Sequence, residues 1–196
     1  MKYYFKNSEE IYKKIILVIK NDKKPLIISG GNTIKKIFKN LNTKINNKIL
    51  LSDERLVKKN SNLRNDFFFK KMINKNLFVK KNFIHYDCSY YDTKCLRKIN
   101  KTIGKIKFNS AILSLGSNGH FASLFGLDKN KLDYQFVNNS PKFPKKRVSI
   151  SFKKLKKCKK IYFVASKNTK KKEIKNFYKN KLIKTLGFEK TELLIY

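Results

Sequence analysis

The chain has 196 residues, of which 41% are apolar, and its 48 Lys and Arg against 13 Asp and Glu give a formal net charge of +35. This length and apolar content predict one domain with a sizeable core. No apolar run approaches the ~20 residues that a bilayer requires, and the N-terminal stretch MKYYFKNSEEIYKK has no apolar h-region, so we expect neither a membrane span nor a signal peptide.

Helical and strand patterns alternate along the chain. The predicted helices cover 8–20, 32–41, 64–73, 93–103 and 168–180. The predicted strands cover 25–29, 48–52, 82–86, 110–115, 147–151, 161–166 and 192–196, with a lysine-rich turn or short helix before 161. This alternation predicts a three-layer, Rossmann-like α/β fold with a mainly parallel sheet covered by helices on both faces. Residues 127–146 are the least regular, and we interpret them as a surface excursion of a single domain, 1–196.

Polar clusters follow four of the predicted strands. They are SGGNT (29–33), SDER (52–55), GSNGH (116–120) and SKNTKKK (166–172). In a parallel sheet the carboxyl ends of the strands meet at one edge, where ligands gather. The sequence therefore predicts a site at this edge, built from four separate loops.

Each cluster also has a structural interpretation. Gly30 and Gly31 before a helix either cradle a phosphate with backbone N–H groups or form only a tight turn. The charged triplet at 53–55 is typical of a solvated surface, and His85, in a predicted strand, is interpreted as structural. His120 follows a glycine directly after an apolar strand, which favours an exposed imidazole with a function.

The high positive charge suggests a nucleic-acid partner when it is considered alone. However, Arg accounts for only four of the basic residues, and the lysines are spread along the chain without a basic patch or an aromatic readout motif. Lys, Asn, Ile, Phe and Tyr have AT-rich codons, so compositional drift explains the bias. We therefore expect weak, non-specific and salt-sensitive nucleic-acid binding at most.

The three cysteines, Cys88, Cys95 and Cys158, are odd in number and show no CxxC spacing. We expect neither a metal cage nor a disulfide framework, and a reducing cytoplasm fits this usage.

Four segments resemble the 6-phosphogluconolactonases, in the order of that family. LIISGGNT resembles the family's SGGST loop, and LLSDERLVKKNSNLRNDFFFKKMI resembles its DERxV segment followed by SNxR and a helix. SAILSLGSNGHFASLFG resembles its strand followed by GxGxDGHTASLFP. RVSISFKKLKKCKKIYFVASKNTKKKEI resembles its RxT strand, the next strand and a helix beginning with GxxK. The resemblance covers about residues 25–175.

This resemblance implies a cytoplasmic enzyme of the oxidative pentose phosphate pathway that hydrolyses 6-phospho-D-glucono-1,5-lactone to 6-phosphogluconate without a metal or organic cofactor. It implies His120 as the general base, with Asp53 near the reacting carbon and Asn118 orienting the loop. The residues implied in substrate or phosphate binding are Gly30, Gly31, Thr33, Arg55, Arg64, Arg147 and either Lys170 or Lys171.

The chain departs from the family pattern at two positions: Asn118 stands for the Asp of DGH, and Gly126 for the Pro after SLF. Because an amide cannot stabilise an imidazolium by charge, we expect a working but non-optimal lactonase in which Asn118→Asp raises turnover. The alternatives are a sugar-phosphate isomerase or deaminase of the same fold and a catalytically silent relative. The related deaminases carry a catalytic Glu five residues after the His, where this chain has Phe125.

Overall fold

The computed structural model describes residues 1–39, 41–84, 86, 88, 90, 92–127 and 131–196, so His85 lies outside the described residues. The strands are β1 (Lys2–Tyr4), β2 (Leu26–Ile28), β3 (Ile49–Leu51), β4 (Asp53–Arg55), β5 (Phe83–Ile84), β6 (Ser110–Ser114), β7 (Tyr134–Val137), β8 (Arg147–Ile150), β9 (Lys160–Ala165) and β10 (Thr191–Ile195). The α-helices are α1 (Ser8–Asn21), α2 (Asn32–Phe38), α3 (Asp66–Asn74), α4 (Thr93–Thr102), α5 (Phe152–Leu155), α6 (Lys171–Lys175) and α7 (Lys181–Leu186). Short 3₁₀ turns lie at Lys80–Asn82, Ser117–Gly119 and Phe177–Lys179.

The predicted α/β fold is confirmed. Within the described ranges, seven strands form a sheet in the order β1-β10-β9-β6-β2-β3-β5, with every neighbouring pair parallel, and helices flank it. The short runs of the central strands β2 and β3 are wholly buried, as β-branched and leucine side chains in a covered parallel sheet should be.

Helix α1 shows how the sequence specifies the flanking layer. The Asn7 side chain accepts hydrogen bonds from the backbone N–H groups of Glu9 and Glu10, which caps the helix at its first turn. Ile11, Ile15 and Ile19 follow at four-residue spacing and are fully buried. A capped amphipathic helix is thereby fixed to the core by one apolar stripe.

A second, smaller sheet was missed by the sequence analysis. β4, β8 and β7 pair antiparallel, and β7 lies within the segment that was expected to be a surface excursion. That expectation is wrong for β7, because the Tyr134 side chain is fully buried. The sequence analysis also missed β1, β4 and α7, and the predicted helix over 168–180 begins only at Lys171.

Ser52 joins the two sheets. Its backbone N–H donates to the Ile28 carbonyl of β2 (2.9 Å), and its carbonyl accepts from the Ile150 N–H of β8 (2.9 Å). The chain therefore leaves the parallel sheet and enters the antiparallel sheet within one residue, which places Asp53 at the junction.

The structure contains one disulfide that the sequence analysis did not predict. Cys88 and Cys95 form a disulfide with a Cα–Cα distance of 6.1 Å, and Cys158 is free and buried. An odd total and the absence of CxxC are properties of the whole chain, and neither reveals two cysteines that the β5–α4 connection brings together locally. In the described part of the chain, no helix has the length and apolar character needed to cross a membrane.

Candidate active site

A cleft of about 470 Å³ lies at the carboxyl ends of the strands, and its position follows from the strand order. From β2 the chain proceeds outward through β3 to β5 and then returns to β6 on the opposite side of β2. Ligands of open α/β sheets bind where the order reverses in this way. The loops after β2 and β6, which carry Gly31 and His120, both line the cleft.

The turn before His120 requires a glycine at 116. A Cβ at Gly116 would collide with the imidazole ring of His120, so the ring lies directly against the Gly116 backbone. The Gly116 N–H donates to the His120 carbonyl (2.7 Å) and closes the turn. Gly119 has φ of 73°, a left-handed conformation that glycine adopts without strain.

The hydrogen bond of Nδ1 fixes the tautomer of His120. Nδ1 lies 2.6 Å from the Ser117 carbonyl oxygen, which can only accept, so Nδ1 carries the proton. In the neutral ring Nε2 is then the free base. The Phe125 ring packs against the imidazole with centroids 4.6 Å apart and limits its rotation.

Burial is the main cause that lowers the pKa of His120, and the ammonium groups of Lys142 and Lys170 lower it further. The Ser117 hydrogen bond and the Asp53 carboxylate act in the opposite direction. The net lowering keeps the imidazole neutral at physiological pH, which is the state that a general base needs.

Asp53 lines the cleft and is only 5% exposed. Its carboxylate accepts hydrogen bonds from Ser52 Oγ (3.0 Å) and Ser123 Oγ (2.6 Å), and Arg147 Nη1 lies 3.8 Å away. These contacts hold the carboxylate in one orientation beside the reactive end of the cleft.

Asn118 contacts the rest of the site through its backbone. Its side chain is exposed, its φ is 61°, and its backbone N–H donates to Glu173 Oε1 (3.0 Å). Among the described contacts the Asn118 side chain makes no hydrogen bond with His120, and the Ser117 carbonyl orients the ring instead. Asn118 shapes the loop through its backbone, so the structure gives no support for raised turnover in Asn118→Asp.

Cations surround the cleft. Of the residues described, those lining it with a basic side chain are Lys36, Arg55, Lys142, Arg147 and Lys170. Lys170 Nζ and Lys142 Nζ both approach Ser117 Oγ, at 3.0 Å and 3.4 Å. Lys171 is exposed and begins α6 outside the cleft, so the structure selects Lys170 from the pair that the sequence left open.

The prediction for Arg64 is corrected. Arg64 is 3% exposed, and its guanidinium pairs with Asp66 (3.0 Å) and Glu54 (3.6 Å). It also donates to the Cys88 and Tyr86 carbonyls. This arginine does not line the cleft, and its bonds tie the start of α3 to the backbone of Tyr86 and Cys88.

The two adjacent glycines of the loop after β2 have different roles. Gly31 and Thr33 line the cleft, whereas Gly30 does not. A Cβ at Gly30 would collide with Asn65, so Gly30 is needed for packing. The prediction that Gly30 contacts the substrate is therefore wrong, and Gly30 packs against the Asn65 side chain instead.

Several residues that line the cleft were not predicted from the sequence, among them Lys36, Asn65, Ser114 and Lys142. Lys142 lies in the loop that leads to Arg147, which was itself a candidate, so the neighbourhood of that residue was an available signal. The same signal was available for Asn65, which directly follows the candidate Arg64, and for Ser114, which ends the strand before the GSNGH loop. Within the described ranges, no cluster of three or more His, Cys, Asp or Glu side chains is arranged to hold a metal ion.

Comparisons with known proteins agree with the motifs. A family model described as glucosamine-6-phosphate isomerases/6-phosphogluconolactonase matches residues 6–185. The chain is similar to a 6-phosphogluconolactonase of Borreliella burgdorferi, with 38% identity over 122 residues. That match covers 54% of this chain and 50% of the length of the relative.

Solved structures share the fold over the whole chain. The 6-phosphogluconolactonase of Thermotoga maritima superposes with a TM-score of 0.82 at 24% identity and covers 100% of this chain and 98% of its own. The 6-phosphogluconolactonase of Trypanosoma brucei gives a TM-score of 0.81 at 17% identity, covering 100% and 95%. At these identities the likeness establishes the fold alone.

Arg64→Met tests the structural role of this arginine. It removes the cation beside the buried Glu54 and one partner of Asp66, which keeps its ion pair with Lys70 (3.0 Å), so we expect a loss of about 3–5 kcal/mol in the free energy of unfolding. Urea denaturation measures it. The control is Arg97→Met, at an exposed position of α4, with an expected change within about 0.5 kcal/mol. Unchanged stability in Arg64→Met together with lost phosphate affinity would return Arg64 to the list of ligands.

The pKa of His120 can be followed by NMR, because the chain has only two histidines. We expect a value below the ordinary one, and Lys142→Met should raise it, since this lysine helps to lower it. Lys145→Met, at an exposed position of the same loop, should leave it unchanged. If the His120 pKa were the same in Lys142→Met as in the parent protein, the ammonium group would not be close to the imidazole.

Proposed function

This chain belongs to the family of glucosamine-6-phosphate isomerases and 6-phosphogluconolactonases, and we propose that it hydrolyses 6-phospho-D-glucono-1,5-lactone to 6-phosphogluconate. One observation carries the proposal: His120 lines a cleft rich in cations, and because a backbone carbonyl holds its protonated Nδ1, Nε2 is the free base of the neutral ring. The curated 6-phosphogluconolactonase to which the chain is similar supports the same activity.

His120 acts first as a base and then as an acid. Nε2 removes a proton from water as the water oxygen attacks C1 of the lactone, which produces a tetrahedral oxyanion and an imidazolium. When the oxyanion collapses, the bond between C1 and the ring oxygen breaks, and the imidazolium returns its proton to that oxygen. The product is an open-chain carboxylic acid, and its proton is released to solvent.

Asp53 stabilises the imidazolium that forms during the attack. It is a buried carboxylate whose charge favours protonation of His120, and Ser52 and Ser123 fix its orientation. A fixed negative charge in a poorly solvated site is worth more than the same charge in water. This carboxylate supplies the charge that Asn118 lacks.

The cations serve two negative groups of the substrate. The oxyanion at C1 develops beside His120, where Lys142 and Lys170 both reach Ser117. The 6-phosphate is the second group, and holding it gives the ring a fixed register over Nε2. Arg55, Lys36 and Arg147 complete the cationic lining, and Thr33 and Gly31 add a hydroxyl and a backbone N–H.

The lactonase is favoured over the deaminase by the surroundings of His120. The position at which the related deaminases carry a catalytic Glu is Phe125, and its ring packs on the imidazole. An apolar ring there cannot transfer a proton to or from an amine. We place the activity in the oxidative branch of the pentose phosphate pathway, in the cytoplasm and in a single domain, without a cofactor or a specific nucleic-acid partner.

His120→Ala tests the proposal directly. Loss of the general base should lower kcat by about 10²–10⁴-fold, while circular dichroism and thermal unfolding remain those of the parent protein. Acid release from fresh lactone, corrected for spontaneous hydrolysis, measures the rate. A folded His120→Ala protein with parental turnover would show that His120 is not the base.

The choice between the two adjacent lysines is tested as a matched pair. Lys170→Ala removes a cation that lies beside the developing oxyanion and should lower kcat/KM by roughly 10- to 100-fold, the range expected for a hydrogen bond to a charged group. Lys171→Ala, at an exposed neighbouring position, should leave kcat/KM within about twofold. Equal effects of the two substitutions would contradict the assignment of Lys170.

A further inference from the structure

Three side-chain atoms at the wall of the cleft are buried and have no hydrogen-bond partner among the described residues: Arg55 Nε, Asn65 Oδ1 and Ser114 Oγ. Other polar atoms of the same wall are engaged. Ser29 Oγ accepts from the Ser114 N–H (3.0 Å), and both oxygens of Asp53 accept from serine hydroxyls. A buried polar atom without a partner is costly, so these three require an explanation.

The two glycines after β2 bring Asn65 and Ser114 to one place. Gly30 packs directly against the Asn65 side chain, where a Cβ would collide with its Cβ and Cγ. On the next residue, a Cβ at Gly31 would lie 3.4 Å from Ser114 Oγ. Asn65 and Ser114 therefore flank a single turn, and that turn forms part of the cleft.

The chemistry of the three atoms matches a hydroxyl group. Asn65 Oδ1 can only accept, because the Asn65 amide nitrogen already donates to the Asp53 carbonyl (2.9 Å). Arg55 Nε can only donate, and Ser114 Oγ can do both. A phosphate dianion or a carboxylate has no proton for Asn65 Oδ1. A carbon-bound hydroxyl both donates and accepts.

We propose that Asn65 and Ser114, together with Arg55 Nε in the lining of the same cleft, form a subsite for the secondary hydroxyl groups of a polyhydroxylated sugar-acid phosphate. This inference rests on the proposed function, since it gives the lactone ring its own contacts in addition to those of the phosphate. The subsite makes the enzyme selective for a hydroxylated chain over a bare phosphate ester of the same length.

Ser114→Ala separates a ligand-binding role from a structural one. In the free protein Ser114 Oγ has no partner in the described part of the chain, so its removal should leave stability unchanged or slightly higher. Binding of 6-phosphogluconate should nevertheless weaken by roughly 2- to 12-fold, the range for one neutral hydrogen bond. The matched control is Ser110→Ala, at the opposite end of β6, which should leave the affinity for 6-phosphogluconate unchanged.

The experiment compares two ligands by calorimetry: 6-phosphogluconate and 6-(phosphonooxy)hexanoate, which has the same chain length, phosphate and carboxylate but no hydroxyl groups. The loss in Ser114→Ala should appear only with 6-phosphogluconate. Asn65→Leu should likewise reduce the ratio of the two affinities, and this ratio is insensitive to a general loosening of the fold.

The subsite would be overturned if Ser114→Ala lost the same affinity for both ligands or lost affinity for neither. A lower stability of Ser114→Ala would also overturn it. The proposed function fails in a different way. A parent protein that binds 6-phosphogluconate with the predicted dependence on Ser114 but hydrolyses no lactone would contradict the lactonase activity and support the subsite.

Discussion

The site depends on the passage of the chain from one sheet to the other at Ser52, whose backbone bonds to both β2 and β8. Side chains alternate along the short strand that follows, so neighbouring carboxylates have separate tasks. Asp53 faces the cleft, while Glu54 accepts the N–H groups of Asn65 (2.6 Å) and Asp66 (2.9 Å) and pairs with Arg64. The same three-residue strand therefore supplies a carboxylate to the cleft and anchors the start of α3.

Charge alone does not identify the site, because the whole chain is strongly basic. Burial and orientation distinguish the cleft from the remaining surface. His120 is held between a backbone carbonyl and an aromatic ring, and Asp53 is held by two serines. Fixed groups of this kind stabilise developing charge without reorganising at the moment of reaction. The surplus of positive charge elsewhere can help to attract an anionic substrate.

The sequence was sufficient for the parallel sheet apart from its edge strand β1, because the central strands are short runs of β-branched and leucine residues between turn signals. It also placed His120, Asp53, Gly31 and the pair Lys170 and Lys171 on loops that meet at one edge. β4 escaped prediction because Asp-Glu-Arg has no apolar periodicity and is a strand only through its pairing with β8. Arg64 was misassigned because a sequence displays an arginine's charge but not the buried carboxylates that neutralise it. Likewise, the side-chain type of Asn118 does not show that its contact with Glu173 is made by its backbone N–H.

The most direct test of the account offers the purified protein two substrates of its family side by side: fresh 6-phospho-D-glucono-1,5-lactone and glucosamine 6-phosphate. Acid release reports lactone hydrolysis, and ammonia release reports deamination. A lactonase site of this kind should release acid well above the spontaneous rate and no ammonia, because the side chain that packs on His120 is Phe125. Ammonia release, or lactone opening at the spontaneous rate alone, would contradict it.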